Sequence, residues 1–535
     1  MASLAKKRSS FFEPIINFFS GFHNRFKRGS IGTKLSHFIC GAGNLYHKQY
    51  IKGIIFLLLQ IAFVAFMVFC PGVPRGTRAV LDEATGKLVA VPNIVNFGWM
   101  ALANLVTLGS YEGGDKFITT VNGKPSIKIT QADDSVLMLL FGIVTIGVIC
   151  VYLIIWISNI KSSQMSDLAV EKGKKPSSFV EDCKSLLDDR FHVLMLTPTL
   201  LAALIFTIIP TIFMICMAFT TYNDLDMKIA KTALFDWNGI DNFKQMFTGG
   251  STLGKEIKAR FLPVLGWTFI WAIIATFSCY FGGIILALLI NKKGLKGKKV
   301  FRTIFILTIA LPSFVSLLAV RNILSSTGPV NGLLRDLGII DWIKDTPGLS
   351  SILNKDQNAV SFLQLNEGDN TPNIARVSVL LINMWIGIPY TMLMTSGILM
   401  NIPEDLYEAA TIDGASRFKM FFKITLPYII FVTTPYLIGS FIGNINSFNT
   451  IFLLTGGGPG IPNSTYRAGQ TDLLVTWLYK LTIDNGDYNT GAVIGIMTFI
   501  ITSTITLITY RRSRAYNEED TFQWWTKIRR NSLLA

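Results

Sequence analysis

Apolar residues in this chain fall in long uncharged runs separated by polar stretches. Eight runs stand out: Ile54 to Cys70, Val136 to Ile157, Val193 to Thr220, Pro263 to Ile290, Thr303 to Val320, Val377 to Met400, Tyr428 to Phe448 and Gly491 to Thr509. Crossing about 30 Å of hydrocarbon at about 1.5 Å per residue takes roughly 20 residues, and all eight are near that length. None contains Asp, Glu, Lys, Arg or His. One such charge at mid-bilayer costs about 2.5 to 3.5 kcal/mol, whereas the core of a water-soluble domain needs no such purity over so many segments. The pattern predicts an all-α membrane protein of about eight transmembrane helices.

Composition agrees, with 50% of the 535 residues apolar and 16% charged. The net charge of +15 raises the question of nucleic acid, and the placement of the basic residues answers it. Lys6, Lys7, Arg8, Arg25, Lys27, Arg28, Lys34, Lys48 and Lys52 precede the first run, against the single acid Glu13. The loop Asn291 to Arg302 holds Lys292, Lys293, Lys296, Lys298, Lys299 and Arg302 and no acid; Arg511, Arg512 and Arg514 follow the last run. Eight crossings put these three regions on one side, and the positive-inside rule makes it the cytoplasm, with both termini inside. The basic segments carry no nucleic-acid motif, so no nucleic-acid partner is expected. No cleavable signal peptide is visible, and the first run is expected to act as its own anchor. In the leader, Phe11, Ile15, Phe18, Phe19, Phe22 and Phe26 recur at helical spacing among basic residues, which suits a helix lying on an anionic leaflet.

The expected organisation is a cytoplasmic basic leader (1–53), two N-terminal helices around an outer loop (54–160), a mixed-charge cytoplasmic linker (161–191), a six-helix core (192–510) and a basic tail (511–535). The outer loop, Pro71 to Ser135, is polar and rich in Gly, Asp and Lys. Pro198, Pro210, Pro312, Pro389 and Pro435 lie inside core spans. Proline bends a helix and frees a carbonyl, tolerated in a bundle where neighbours or a wet cavity satisfy it. Bends that serve only packing account for any single one equally well. Phe235 to Phe243 reads as a turn and a short amphipathic helix on the outer side.

Chemistry-bearing patterns are few. Cys40, Cys70, Cys150, Cys183, Cys216 and Cys279 show no paired spacing, and His23, His37, His47 and His192 form no ligand set. No metal or cofactor is expected. Gly249, Gly250, Ser251, Thr252, Leu253, Gly254 and Lys255 match the opening of a phosphate-binding loop, but Glu256 stands where a hydroxyl would hold magnesium and no apolar strand precedes it. Nucleotide must then be hydrolysed on another chain. Between the sixth and seventh runs, Asn401 is placed to cap a helix with Glu404 closing a capping box; Gly414 would end that helix and Pro427 would open the next span. On physics alone this is a short rigid connector.

Resemblance adds to that reading. Glu408, Ala409, Ala410, Gly414 and the later Ile424, Thr425, Leu426, Pro427 resemble the EAA segment of ABC importer permeases. The stretch from His192 to Tyr510 is similar to the MalF-type carbohydrate permeases, most specifically in Asn383 to Tyr390, in Phe448 to Pro459 with its Leu-Leu-Thr-Gly-Gly-Gly-Pro run, and in Thr471 to Val475. The resemblance implies a six-helix permease core preceded by two helices, with 401–427 docking on an ATPase subunit. It also implies a bacterial plasma-membrane complex for maltose or maltodextrin. A second homologous permease, an ATPase dimer and an extracellular solute-binding protein would complete it, and this chain would not itself be an enzyme.

Two polar stripes fit a sugar site. Asn383, Gly387 and Tyr390 share one face of the sixth span at i, i+4, i+7, and Ser440, Asn444 and Ser447 repeat that spacing on the seventh. Neutral amides and hydroxyls suit sugar hydroxyls, Tyr390 can stack on a pyranose, and Gly387 would leave room for the ligand. Hydrogen bonding between spans, worth about 0.6 kcal/mol each, would use the same residues; the resemblance favours the site, since both stripes match positions lining the family's sugar pocket. The maltose permeases have aromatic residues where Gly443 and Ile309 stand here, and some carry a large insert between the third and fourth spans that is absent. An ion-coupled secondary sugar transporter is the rival reading, but ion coupling usually leaves an acid or histidine within the spans. A membrane enzyme would need a catalytic pair near the membrane surface, and no convincing one is found.

Overall fold

In the computed structural model, residues 26–512 are described except 28, 70–72, 83–86, 96–97, 110–115, 122–123, 130–132, 224–233, 251, 293, 347–352, 355–357, 364–371 and 461–467. The expected leader helix on Phe11 to Phe22 and the tail beyond Arg512 lie outside the described residues. The chain divides into two compact units, one running to Tyr222 and including Asp226–Asn238, the other taking Asn223–Leu225 and everything from Gly239 on. Among the described residues, seven helices are long and apolar enough to cross a membrane, or eight if one sharply bent pair is a single span.

The first unit contains the first three spans. Tyr50–Phe69 is the first. The second, Ser135–Glu171, is 37 residues long and continues well past its apolar run. Asn159, Ser163 and Asp167 recur there every four residues and so share a face. Two short helices, Ile31–Leu35 and Ala42–Tyr46, fold onto that face. Asn159 accepts from the Gly41 N–H at 2.8 Å and donates to the Ser36 carbonyl at 3.0 Å. Asp167 accepts from the Thr33 hydroxyl at 2.7 Å and the Ser30 N–H at 3.0 Å, and its other oxygen meets His47 Nε2 at 2.6 Å. Gly41 sits at φ +87°, and a Cβ there would run into the Gly53 backbone. The chain can therefore reach the first span here only through glycine.

Between the first two spans, where a polar loop was expected, stand two antiparallel hairpins, Val73–Asp82 with Lys87–Val95 and Lys116–Val121 with Lys124–Ile129. Helix Trp99–Thr107 packs on the second span. The third span changes pitch midway: Phe191–Ala203 contains Pro198, a π-turn covers Leu204–Ile208, and Ile209–Met217 follows with Pro210 in its first turn. Pro210 offers no N–H to the carbonyl one turn before it, and the wider turn, closed by the Ile209 N–H on the Leu204 carbonyl, lies just ahead of it.

In the second unit, Asp241–Thr248 forms the expected short helix, and Gly249 ends it in the left-handed region. Thr252 already belongs to the fourth span, so the phosphate-loop-like run is a helix-to-helix turn. The fourth span, Thr252–Asn291, packs along the sixth, Pro372–Leu399. Small residues let them approach: a Cβ on Gly282 would lie 2.8 Å from Ile388 Cδ1, one on Gly387 2.6 Å from Cys279 Sγ, and one on Gly283 would strike Thr391. Trp267, Trp271, Val379, Ile382 and Ile451 fill the core beside this seam. Tyr280 joins the fourth span to the seventh through the Thr433 hydroxyl at 2.6 Å. The seventh runs from Arg417 to Ile445 through a π-turn at Phe421–Thr425, and the eighth is Tyr488–Arg512.

The fifth span, Thr303 to Val320, was expected to bend at Pro312, and the bend is a full break: Lys298–Ala310 and Ser313–Ile323 meet at 96°. Pro312 is the cause: the residue before a proline is pushed out of the α region, and Leu311 lies at φ −79°, ψ 134°. The five described cysteines are free, and no cluster of metal-ligating side chains occurs among the described residues.

If the glycine seam holds the fourth and sixth spans together, Gly283→Val lowers stability by about 1–3 kcal/mol. Gly397→Ala, where nothing lies within 4 Å, leaves it within about 0.5 kcal/mol. Thermal melts in detergent decide; equal melting of Gly283→Val and the wild type would remove the seam from the account.

Candidate functional site

A cavity of about 520 Å³ opens where the fifth-span break faces the sixth and seventh spans. Asn383, Gly387 and Tyr390 line it from the sixth span, and Tyr436, Ser440 and Asn444 from the seventh. Thr308 to Ser313 close it with the broken turn, and Cys279 reaches it from the fourth span. Among the described residues, no acidic or basic side chain lines it.

Five of the six expected residues thus meet at one place. Ser447 does not line it. The seventh-span helix ends at Ile445, so the i+7 step from Ser440 no longer holds, and the Ser447 hydroxyl donates to Thr450 at 3.2 Å beside the next helix. Gly387 borders the cavity, but the volume a side chain would occupy is already taken by Cys279. Its smallness serves the helix seam rather than leaving room for a ligand. Tyr436, Leu311 and Pro312 were not anticipated in the lining; Tyr436 stands four residues before Ser440, so the stripe itself held the signal. Of the two positions where aromatics were expected, Ile309 lines the cavity and Gly443 faces open space.

Both structural and binding uses of the amides are visible. Asn444 Nδ2 donates to Thr276 at 2.8 Å, and the main-chain carbonyl of Asn444 accepts from Trp271 Nε1 at 3.1 Å. Asn383 Nδ2 reaches Cys279 Sγ at 3.6 Å. The two Nδ2 bonds orient the side chains and use one N–H of each amide. The Oδ1 atoms of Asn383 and Asn444, the Ser440 hydroxyl and the Tyr390 hydroxyl have no hydrogen-bond partner among the described residues. Tyr390 and Tyr436 stand 5.8 Å apart at 32°, and Tyr390 is half-exposed. The site offers fixed neutral acceptors, two hydroxyls and aromatic faces, a set that recognises a neutral polyol.

The second candidate region is a short exposed helix, Glu404–Ile412, which carries Glu408, Ala409 and Ala410. Its start corrects the sequence reading. Pro403 is the cap residue, and the Asn401 N–H instead bonds the Ile398 carbonyl at 3.0 Å in the turn ending the sixth span. A proline at 403 disfavours helix in the residue before it, so the helix can begin only afterwards. Gly414 ends it at φ +72°, and Ala415 N–H bonds the Ala410 carbonyl at 2.9 Å, closing a Schellman turn. Tyr407 ties the helix to the seventh span through Thr425 at 2.9 Å. Ile412 is 87% exposed and Phe418 73%, apolar side chains standing in the open next to this rigid element.

The two sequence segments Phe448 to Pro459 and Thr471 to Val475 fold onto one another. Asp472, fully buried, accepts from Lys480 Nζ at 2.7 Å, the Gly469 N–H at 2.6 Å and the Thr476 hydroxyl at 2.8 Å. Burial pushes its carboxyl above the ordinary value while the Lys480 ammonium and the two other donors pull it down. Thr471 bonds Thr455 at 2.8 Å, and Gly457 leaves the space that Asp472 fills.

Residues 279–515 match the family described as binding-protein-dependent transport system inner membrane component. Over 486 residues, 90% of this chain and 97% of the relative, the sequence is 32% identical to the galactooligosaccharides transport system permease protein GanP of Bacillus subtilis. The chain belongs to this permease family. The permease is also 30% identical to the maltodextrin transport system permease protein MalC of Streptococcus pneumoniae, over 90% of this chain and 95% of that one. It is 34% identical to the maltose/maltodextrin permease MalF of Escherichia coli, over 52% of this chain and 49% of that one. A solved bacterial ABC transporter involved in the import of alginate overlays with a TM-score of 0.47 at 25% identity, covering 62% of this chain and 98% of that chain. The permease is a multi-pass membrane subunit of an ABC sugar importer, a transport component rather than an enzyme.

Removing one member of a buried ion pair strands the other, at about 3–5 kcal/mol. Asp472→Ala is therefore expected to lower stability by that amount, read as a fall in the thermal midpoint of the purified permease. An unchanged midpoint would show that the Asp472 cluster carries no such load.

Proposed function

We propose that the permease forms one half of the translocation pathway of an ATP-driven importer for neutral oligosaccharides of the maltodextrin type, and that the cavity between the sixth and seventh spans is its sugar site. The observation that carries this reading is the cavity's chemistry: oriented, unspent neutral hydrogen-bonding groups beside tyrosine rings, with no charge. An acidic glycan would call for cationic partners, and the lining offers none. A volume of about 520 Å³ falls in the range of small-molecule sites, about 300–1,000 Å³. The named relatives support an oligosaccharide, and a galactooligosaccharide is the second reading because GanP matches nearly end to end. Ion-coupled transport is disfavoured because no acid, base or histidine lines the cavity among the described residues.

In this reading a second, homologous permease supplies the other half of the pathway, two ATPase copies bind at the cytoplasmic face, and an extracellular solute-binding protein delivers the sugar. Both termini lie in the cytoplasm, as the basic segments favour. Helix Glu404–Ile412, with exposed Ile412 and nearby Phe418, docks on an ATPase copy. Its Schellman turn and the Tyr407–Thr425 bond make it a stiff connection to the seventh span, so closure of the ATPase pair shifts that span and the cavity it lines.

Loss of one neutral hydrogen bond is worth about 1 kcal/mol, roughly fivefold in affinity. Ser440→Ala is expected to raise the KM for maltodextrin uptake by about that factor with unchanged thermal stability, and Ser447→Ala to leave KM alone. The same KM for both variants would remove the cavity from the pathway. Uptake of radiolabelled maltose and maltotriose against a galactooligosaccharide separates the two sugar readings. Gly414→Asp is expected to abolish ATP-dependent uptake while the complex still assembles; full uptake would refute the docking role.

A further inference from the structure

A second cavity, of about 750 Å³, lies within the first unit at the end of its spans opposite the hairpins. It is bounded by the start of the first span, the polar extension of the second from Ser158 to Ala169, and helix Phe179–Leu187. Five cations border it: Lys52, Lys161, Lys174, Lys175 and Arg190. Lys52 is buried and fixed, donating to the Ser177 carbonyl at 2.9 Å and hydroxyl at 3.1 Å and pairing with Asp182. The other acid of the lining, Glu181, is taken by the capping box, where it accepts from the Ser178 N–H at 2.8 Å. Lys161, Lys174, Lys175 and Arg190 are left with no carboxylate partner among the described residues. Four like charges around one cleft give it a positive potential that attracts an anion.

The rest of the lining says which anion. Ile55 and Phe56, one turn beyond Lys52 on the first span, share the cleft with Met165, which is 61% exposed. A free inorganic anion has no use for that apolar wall. The place along the chain also matters: Lys52 stands just ahead of the first apolar run, Ser158 just after the second, and Arg190 just before the third. These are the points where polar sequence gives way to apolar, so the cleft sits at headgroup depth with its apolar wall toward the acyl chains.

We propose that this cleft is a binding site for one anionic phospholipid, its phosphodiester held by Lys161, Lys174, Lys175 and Arg190 and an acyl chain lying along Ile55, Phe56 and Met165. Binding neutralises the crowded cations and braces the extension of the second span against the bilayer. Each basic residue near an anionic surface contributes about 1 kcal/mol, roughly fivefold in affinity.

The test uses the assembled transporter and native mass spectrometry with titrated phosphatidylglycerol or phosphatidylcholine. The wild type is expected to retain phosphatidylglycerol selectively, and inorganic phosphate not to displace it. Lys161→Gln/Lys174→Gln/Lys175→Gln is expected to weaken that retention about fivefold per lysine, with an unchanged melt in phosphatidylcholine nanodiscs. Lys292→Gln/Lys296→Gln/Lys299→Gln, in the basic loop after the fourth span, is expected to retain the lipid. Equal retention of both lipids, displacement by phosphate, or the same loss in both triple variants would overturn the site.

Discussion

The close approach of the fourth and sixth spans is the constraint on which the second unit depends. Gly282 and Gly283 on one helix and Gly387 on the other remove the side chains that would hold the backbones apart. Lipid tails are as apolar as leucine, so within a bilayer such packing, rather than hydrophobic burial, makes one helix choose another. The seam fixes the rotation of the sixth span, and that rotation turns Asn383 and Tyr390 toward Ser440 and Asn444. Tyr280, bonded to Thr433, sets the seventh span against the same fourth span. One helix thus serves as the reference for both polar stripes.

Charge is sorted along the chain with equal consequence. The sugar-sized cavity is lined without a single ionised side chain, whereas unpaired lysines gather where the first three spans meet the polar sequence. A neutral lining keeps the interior cheap to insert and leaves recognition to directional groups. Two buried carboxylates are matched at close range, Asp472 by Lys480 and Asp167 by His47 and two hydrogen-bond donors of the leading segment.

Much of this was legible in the sequence because lipid imposes a length and a polarity on every crossing, and the apolar runs obey both. The i, i+4, i+7 stripes were readable for the same reason that helices are periodic. Ser447 escaped because periodicity does not announce where a helix stops, and this one stops at Ile445. The bend at Leu311 was partly announced by Pro312, but a proline foretells a bend without its angle. Asn401 misled because a good capping residue was outranked by Pro403 two positions later. The knot around Asp167 went unread although Asn159, Ser163 and Asp167 are spaced every four residues: its partners are more than a hundred residues away in the leader. The glycine seam left no pattern at all, since what matters there is the neighbour each missing side chain admits.

The bend at Leu311 and Pro312 has a consequence for how substrate preference can change. A helix end exposes its last carbonyls, and this one stands in the cavity wall between Thr308 and Ser313. Main-chain oxygens are the same whatever residue carries them, so the part of the wall they form is insulated from point mutation. Divergence between one glycan and another must then be written in side chains, those borne by the sixth and seventh spans and those of Thr308 and Ile309 beside the bend.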